Sequence, residues 1–483
     1  MATPIPPNSC SFTLAEVAAA TGGALRGSAE AIVSGVTTDS RVARAGSLFV
    51  ALRGPHFDGH QYLGAAIAQG AAAAIVERGR SVAELACVEV EDTLRALGAL
   101  ASHHLQRIRA VTRLPVIAIG GANGKTTTKE LTAALAAARF GATLKTPGNL
   151  NNLIGVPMTL FTLTETHRAA VIECGTNRRG EVAALACILT PDVALVLNVD
   201  IEHSEGLGTI DEIADEESSL FRGAGVAVAS AEEPKVTARI PAGMRAVTFG
   251  AASTGADVGF IRRPSPAPER AAITLRLAPA LLEAGVAREL EVNLRLLGPA
   301  AASNAAAALA AVAAASAAHL SRAQLEALAR AFEGVEPVSG RLRARTLDGV
   351  VVIDDTYNAN PRSVRVALAT ASEIAHARSA RLIIALGDML ELGPLSDEMH
   401  RQAVRDVAAA APDQFVAVGP SMGAACQAVL DGTPLLFVRT YPDSREAASA
   451  IRAIVRRGDV LLVKGSRGLE MEKLIEALEQ TSD

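Results

Sequence analysis

The chain has 483 residues, a formal net charge of −5, no tryptophan and three tyrosines. That balance offers no basic footprint and argues against nucleic acid as the main partner. No apolar run of about 18 residues is free of polar breaks, so no membrane span or insertion is expected, and the length implies about two to four domains with sizeable cores.

The N-terminus, MATPIPPNSCSF, lacks a basic region and an apolar stretch, so no signal peptide is read. Five cysteines (Cys10, Cys87, Cys174, Cys187 and Cys426) form no C-x-x-C pair and are odd in number. Reduced thiols in a cytoplasmic protein are expected. Residues 1–90 read as a small α/β domain, with strands at Ser47 to Leu52 and Ala72 to Glu77 and a helix at Tyr62 to Gln69. The cluster Thr37-Thr38-Asp39-Ser40-Arg41 is open to two readings: a phosphate or nucleoside contact, or a turn with capping residues.

Residues 91–338 read as the central domain. Asp92 to Arg109 is a helix leading into it, and LPVIAIGGANGKTTTKE (Leu114 to Glu130) is its organising stretch. An apolar strand ends in glycines, and Lys125, Thr126 and Thr127 open an amphipathic helix. A helix start presents unpaired N–H groups and a positive dipole end, which favour phosphate. Gly121 and Gly124 let the backbone approach an anion, with Ala122 and Asn123 between them. Lys125 can reach the β- and γ-phosphates and the Thr126 hydroxyl can ligate Mg²⁺. The stretch is a shortened phosphate loop, because the usual first glycine would fall at Ile119. Further along, the loop Thr146 to Asn152 holds Asn149, Asn151 and Asn152. Glu173 ends one apolar strand, and His203 follows another, Ala194 to Val199. Ligands of open parallel sheets sit outside the carboxyl ends of strands. Lys125, Glu173 and His203 are therefore expected to share one site, with Glu173 and His203 as Mg²⁺ ligands. Asp211 to Leu220 reads as an acidic helix, Pro264 to Pro268 as a loop, and Ala300 to Leu320 as a helix packed on the sheet.

From about Gly340 the pattern restarts, and 339–483 reads as a second doubly wound, Rossmann-like α/β domain. Its strands are Val350 to Asp354, Leu382 to Leu386, Phe415 to Gly419 and Val460 to Lys464. Polar residues follow them: Asp355, Tyr357, Asn358 and Asn360; Asp388; then Ser466 and Arg467. The expected fold is thus α/β in three domains: a small N-terminal α/β domain, a central P-loop-type parallel-sheet ATPase domain and the C-terminal one.

Together these motifs resemble the Mur ligases, the ATP-dependent amide ligases of peptidoglycan precursor synthesis. The resemblance rests on GANGKTT, NLNNLIGVP (Asn149 to Pro157), Glu173 with Gly175, and Asn198 through His203 to Glu205. It continues in Gly340-Arg341-Leu342, DDTYNANP (Asp354 to Pro361), GDMLELG (Gly387 to Gly393) and KGSR (Lys464 to Arg467). It covers nearly the whole chain. DDTYNANP with GDMLELG is similar to the member that adds D-alanyl-D-alanine; the D-N-P-R-type motif of the diaminopimelate-adding member is not found.

The resemblance implies ATP and Mg²⁺ as cofactors, and UDP-N-acetylmuramoyl-tripeptide and D-alanyl-D-alanine as partners of a monomeric enzyme. Thr38, Asp39, Ser40 and Arg41 would contact the UDP substrate. Lys125 would cradle the γ-phosphate, Thr126 and Glu173 would serve one Mg²⁺, and His203 a second. Arg341 and Asp355 would approach ribose or phosphates, and Tyr357 the adenine. Asn149, Asn151, Asn152, Asn358, Asn360, Asp388, Lys464, Ser466 and Arg467 would line the substrate sites. Asp388 and His400 are candidates for the base that deprotonates the amine. Two positions depart from the family. Glu217 stands where a carbamylated lysine is usual, and it or Glu216 is expected to replace that group on the metal. In the G-x-H-N-x-x-N tract, Ala300 and Ala301 replace His-Asn and only Asn304 is kept. A sister ligase with another donor, a phosphate-loop protein without ligase chemistry, and an inactive scaffold are the alternative readings.

Overall fold

The computed structural model describes residues 3–55, 57–201, 204–263, 270–430 and 437–479, with the side chains of residues 204, 205 and 430 also left aside. Three sheets organise it. The first has five strands in the order 24–26, 86–90, 73–77, 48–50 and 36–37. The expected strands appear as Leu48–Val50 and Ala73–Glu77, and the expected helix as Leu63–Ala68. The Thr37 to Arg41 cluster becomes a short strand end and a 3-10 turn, capped by the Asp39 side chain on the Arg41 N–H at 2.9 Å.

The central sheet has nine strands. Seven run parallel, in the order 143–145, 169–173, 116–120, 193–196, 226–230, 245–251 and 258–263; two antiparallel strands, 271–277 and 289–294, complete it. Val116–Gly120 is buried along its whole length, as befits an apolar strand covered on both faces. Its neighbours on either side come later in the chain, so a crevice opens at its carboxyl end. The alanine-dense segment is a helix from Ala300 to Ala315, and its small side chains allow close packing on this sheet and on the helix Lys125–Phe140. Four strands between residues 245 and 294 have no counterpart in the sequence reading. The Pro264 to Pro268 loop lies outside the described residues.

The third sheet has six strands: 343–347 antiparallel to 350–355, then 460–464, 382–387, 414–418 and 438–441 in parallel. Among the described residues, no helix is long and apolar enough to cross a membrane.

One hydrophobic core runs through the first two modules. It joins Phe12, Leu48 and Ile75 to Val116, Ile172 and Phe221, with the helix Thr93–Val111 between them. The third sheet has separate cores on its two faces. His104 sits at the seam, with its ring beside Phe12 and Phe161 and Nε2 at 3.0 Å from the Leu163 carbonyl. Burial pushes this imidazole down to about 4 from an ordinary 6.5. The unfolded chain therefore takes a proton that the folded chain refuses as pH falls from 6.5 toward 4, and stability drops through that window by up to about 3 kcal/mol. Thermal midpoints measured across this range should fall less steeply in His104→Gln than in the parent; equal slopes would exclude His104 as the source.

Candidate functional site

The helix Lys125–Phe140 begins without a side-chain cap, its N-cap position being Gly124 at φ +89°. Its first N–H groups are thus left for a ligand. Gly121, at φ +115°, is required where it stands, because a Cβ there would lie 2.9 Å from the Leu197 nitrogen. A Cβ on Gly124 would lie 2.7 Å from Asn304 Oδ1, so that glycine makes room for the alanine-rich helix as well as for an anion.

Around this loop lies a cleft of about 720 Å³. Residues 122–127 form one wall, with Asn149, Asn151, Asn152 and Glu173 beside them. Ala300, Ala301 and Asn304 line another side. Arg341, Asp355, Tyr357, Asn358, Asn360, Lys464, Ser466 and Arg467 close it from the third sheet. Sequence-distant motifs thus meet in one cavity at the boundary of two domains.

Glu173 pairs in register with Ile119, which sets its carboxylate level with the start of the loop. The residue is 1% exposed. Its Oε1 accepts from Asn151 Nδ2 at 2.9 Å and Thr126 Oγ1 at 3.3 Å. Its Oε2 is buried with no hydrogen-bond partner. Lys129, a buried lysine that the sequence reading passed over, holds its Nζ 4.0 Å from that oxygen and bonds the Thr146 carbonyl at 2.9 Å. Its spacing of four residues from Lys125 was the available signal. A carboxylate oxygen without a donor, beside a threonine hydroxyl, is a donor set that suits Mg²⁺. Among the described residues no group of three or more His, Cys, Asp or Glu converges on a metal. A divalent ion here would rest on Glu173, Thr126 and phosphate oxygens. His203 lies outside the described residues.

Lys125 Nζ bends back onto its own loop, donating to the Gly121 carbonyl at 2.5 Å and the Ala122 carbonyl at 3.2 Å. Asp355 and Lys464 form a buried pair at 2.5 Å, and Lys464 also donates to the Asn358 carbonyl. The Arg341 guanidinium covers the Tyr357 ring at 4.0 Å, so that face is already occupied. Asn152 Oδ1 accepts from the Gly155 N–H at 2.8 Å, and Asn149 Oδ1 accepts from Thr3 Oγ1 at 2.6 Å. Burial, then the Glu217 and Glu173 charges, push the Cys174 thiol up, and Lys125 opposes them. Those three charges therefore crowd one small region.

The other candidate carboxylates and His400 engage backbone groups. Glu217 is 1% exposed and does not line the cleft. Its Oε2 accepts the Gly121 N–H at 2.6 Å, so that oxygen braces the loop. Glu216 accepts from the Gly180 and Val182 N–H groups at 2.7 and 2.8 Å, which anchors another helix start. Asp388 caps the helix Pro420–Leu430 through the Met422 N–H at 2.7 Å. His400 Nε2 accepts from Met389 N–H at 2.9 Å while Nδ1 lies 2.7 Å from the Ser396 carbonyl, so both nitrogens are engaged. Neither is among the residues that line the cleft. Thr38, Asp39, Ser40 and Arg41, expected at the UDP end of the substrate, lie in the N-terminal domain outside this cleft, and Arg41 pairs with Asp39 at 2.7 Å.

Three family models match the chain: the Mur ligase family catalytic domain at residues 32–105, the Mur ligase middle domain at 119–312, and the Mur ligase glutamate ligase domain at 340–467. The UDP-N-acetylmuramoyl-tripeptide–D-alanyl-D-alanine ligase of Escherichia coli strain K12 is 33% identical over 97% of this chain and 99% of its own length. The chain belongs to the Mur ligase family. The ligase of the same name from Bacillus subtilis strain 168 is 29% identical over 93% of this chain and 94% of its own. The crystal structure of MurF from Acinetobacter baumannii superposes with a TM-score of 0.85 at 31% identity, covering 99% of this chain and 100% of that one. MurF ligase from Thermotoga maritima in complex with ADP gives a TM-score of 0.75 at 25% identity, covering 92% and 97%. The three-domain α/β architecture of the Mur ligases therefore holds for the full chain.

Proposed function

We propose that this Mur ligase joins D-alanyl-D-alanine to the terminal carboxylate of UDP-N-acetylmuramoyl-tripeptide, forming UDP-N-acetylmuramoyl-pentapeptide, ADP and phosphate. The observation that carries the reading is the cleft itself. It combines an uncapped helix start, Lys125, a buried carboxylate with an orphaned oxygen, and a cationic wall from the C-terminal domain.

A carboxylate attacking a triphosphate brings anions together, and the protein must offset their repulsion where charge develops. In our reading the loop N–H groups and Lys125 take the phosphates. Thr126 and Glu173 would hold Mg²⁺, which would supply charge neutralisation at the phosphoryl group. The tripeptide carboxylate becomes an acyl phosphate, and the dipeptide amine displaces phosphate from it. Asn151 orients Glu173, the Asp355–Lys464 pair fixes the wall beside Asn358, and Arg341 with Tyr357 flanks the nucleotide. Docking of the C-terminal domain excludes water that would otherwise consume the acyl phosphate. We place the reaction in the cytoplasm, where the cysteines, all five free, stay reduced.

The test is phosphate release from ATP with the UDP-tripeptide and one donor at a time, with product mass as confirmation. D-Alanyl-D-alanine should drive release about 10²-fold faster than diaminopimelate or single D-alanine, a ratio within reach of binding selectivity. Faster release with diaminopimelate would make this a sister ligase. Slow release independent of any amine would leave a nucleotide hydrolase.

A further inference from the structure

Asn123 stands at the crown of the phosphate loop. Its backbone is clasped by a single side chain: the Asn123 N–H donates to Asn198 Oδ1 at 2.8 Å, and Asn198 Nδ2 donates to the Asn123 carbonyl at 2.9 Å. Its side chain is held from the other domain, where Asn360 Nδ2 donates to Asn123 Oδ1 at 2.9 Å. The orientation of Asn360 is itself dictated. As the N-cap of the helix Pro361–Arg378, it turns its oxygen to the Ser363 N–H at 2.8 Å, which leaves its nitrogen for Asn123. An amide whose oxygen is fixed has its NH₂ fixed as well. That NH₂ on Asn123 is buried and finds no acceptor among the described residues, although Asn123 lines the cleft. A buried donor without an acceptor is costly unless a ligand supplies one.

We infer that Asn123 donates its side-chain amide to a phosphate oxygen of the bound nucleotide, and that Asn360 is the positioning residue that holds this orientation while the C-terminal domain is docked. The inference rests on the nucleotide reading of the cleft, but not on which amine is ligated. It also changes the role of Asn360 from dipeptide contact to a sensor of docking. Two ion pairs accompany the same helix onto the central domain, the part-buried Arg362 with Glu233 at 2.6 Å and the exposed Arg262 with Glu373 at 2.7 Å. Neither ion pair involves a loop residue, whereas the amide pair joins the docked domain directly to the phosphate loop.

The experiment is a double-mutant cycle in the full chain with Asn123→Ala, Asn360→Ser and both together. Serine keeps the helix cap and removes the donor. The readouts are equilibrium affinity for a non-hydrolysable ATP analogue with Mg²⁺, the KM for D-alanyl-D-alanine, and the thermal midpoint. Each single variant should bind the analogue about 10-fold more weakly, with an unchanged midpoint, and the double variant no more weakly than either single. Asn360→Asp, which also keeps the cap but offers only acceptors, should match Asn360→Ser. Losses that multiply in the double variant, or unchanged analogue affinity in the singles, would overturn the inference. So would a raised dipeptide KM alone, which would return Asn360 to the dipeptide. A parent chain that binds the analogue yet releases no phosphate with the dipeptide would sink the ligase reading and leave the cycle interpretable.

Discussion

Lys125→Ala is expected to lower ligation by about 10³-fold or more in kcat/KM, the range seen when a preorganised electrostatic donor is removed from a transition state. Affinity for UDP-N-acetylmuramoyl-tripeptide should persist. The side chain rises from the first turn of the phosphate-loop helix and now rests on the Gly121 and Ala122 carbonyls. Those carbonyls are weaker partners for an ammonium than a triphosphate is. Calorimetric titration of the UDP substrate, together with phosphate release, separates loss of chemistry from loss of fold. A variant that turns over near the parent rate would remove Lys125 from the site.

Glu173→Ala should raise the Mg²⁺ concentration needed for half-maximal activity at least about 10-fold and lower kcat by about 10²-fold. The side chain has one oxygen engaged by Asn151 and Thr126, and the other is buried without a hydrogen bond, 4.0 Å from Lys129 Nζ. A protein retains such an atom at a cost, since a buried charge without a full set of donors is unfavourable. Glu173→Gln is accordingly expected to melt at or above the parent temperature while losing activity, the trade expected of a strained functional group. An unchanged magnesium titration in the alanine variant would take Glu173 out of the ligand set.

Much of this site was legible because its parts are local in sequence. A strand, two glycines and Lys-Thr-Thr specify a phosphate loop with no knowledge of the rest of the chain, and Glu173 at a strand end needed only the rule that parallel sheets bind ligands at their carboxyl edge. Side-chain direction was not legible. Glu216 and Glu217 are neighbours on one helix, about 100° apart around its axis; one turns to the Gly180 N–H and the other to the Gly121 N–H. Their spacing from the glycine motif could not say which faced where. Asp388 and His400 follow a strand end and a loop as reactive groups often do, yet both serve backbone N–H groups that would otherwise be buried without partners. The strands between residues 245 and 294 escaped for another reason. Their short alternating runs, such as Glu289–Leu294, carry charged residues on one face and resemble loops until their partners are known.

The shared core beneath the first two modules has a consequence for how damage spreads. Phe12 and Leu48 pack in one apolar body with Val116 and Ile172, whose strands carry the phosphate loop and Glu173. The C-terminal domain has two cores, one of which takes in Leu297 and packs on Ile201 of the central domain, and it also meets the others through amides and ion pairs. A lesion in the N-terminal sheet should thus loosen the nucleotide floor many residues away, whereas the C-terminal domain can swing or even melt alone and leave that floor intact. The part of the molecule that carries the phosphate loop shares one apolar body with the N-terminal sheet, whereas the C-terminal domain is joined to it by a small apolar contact and by polar links.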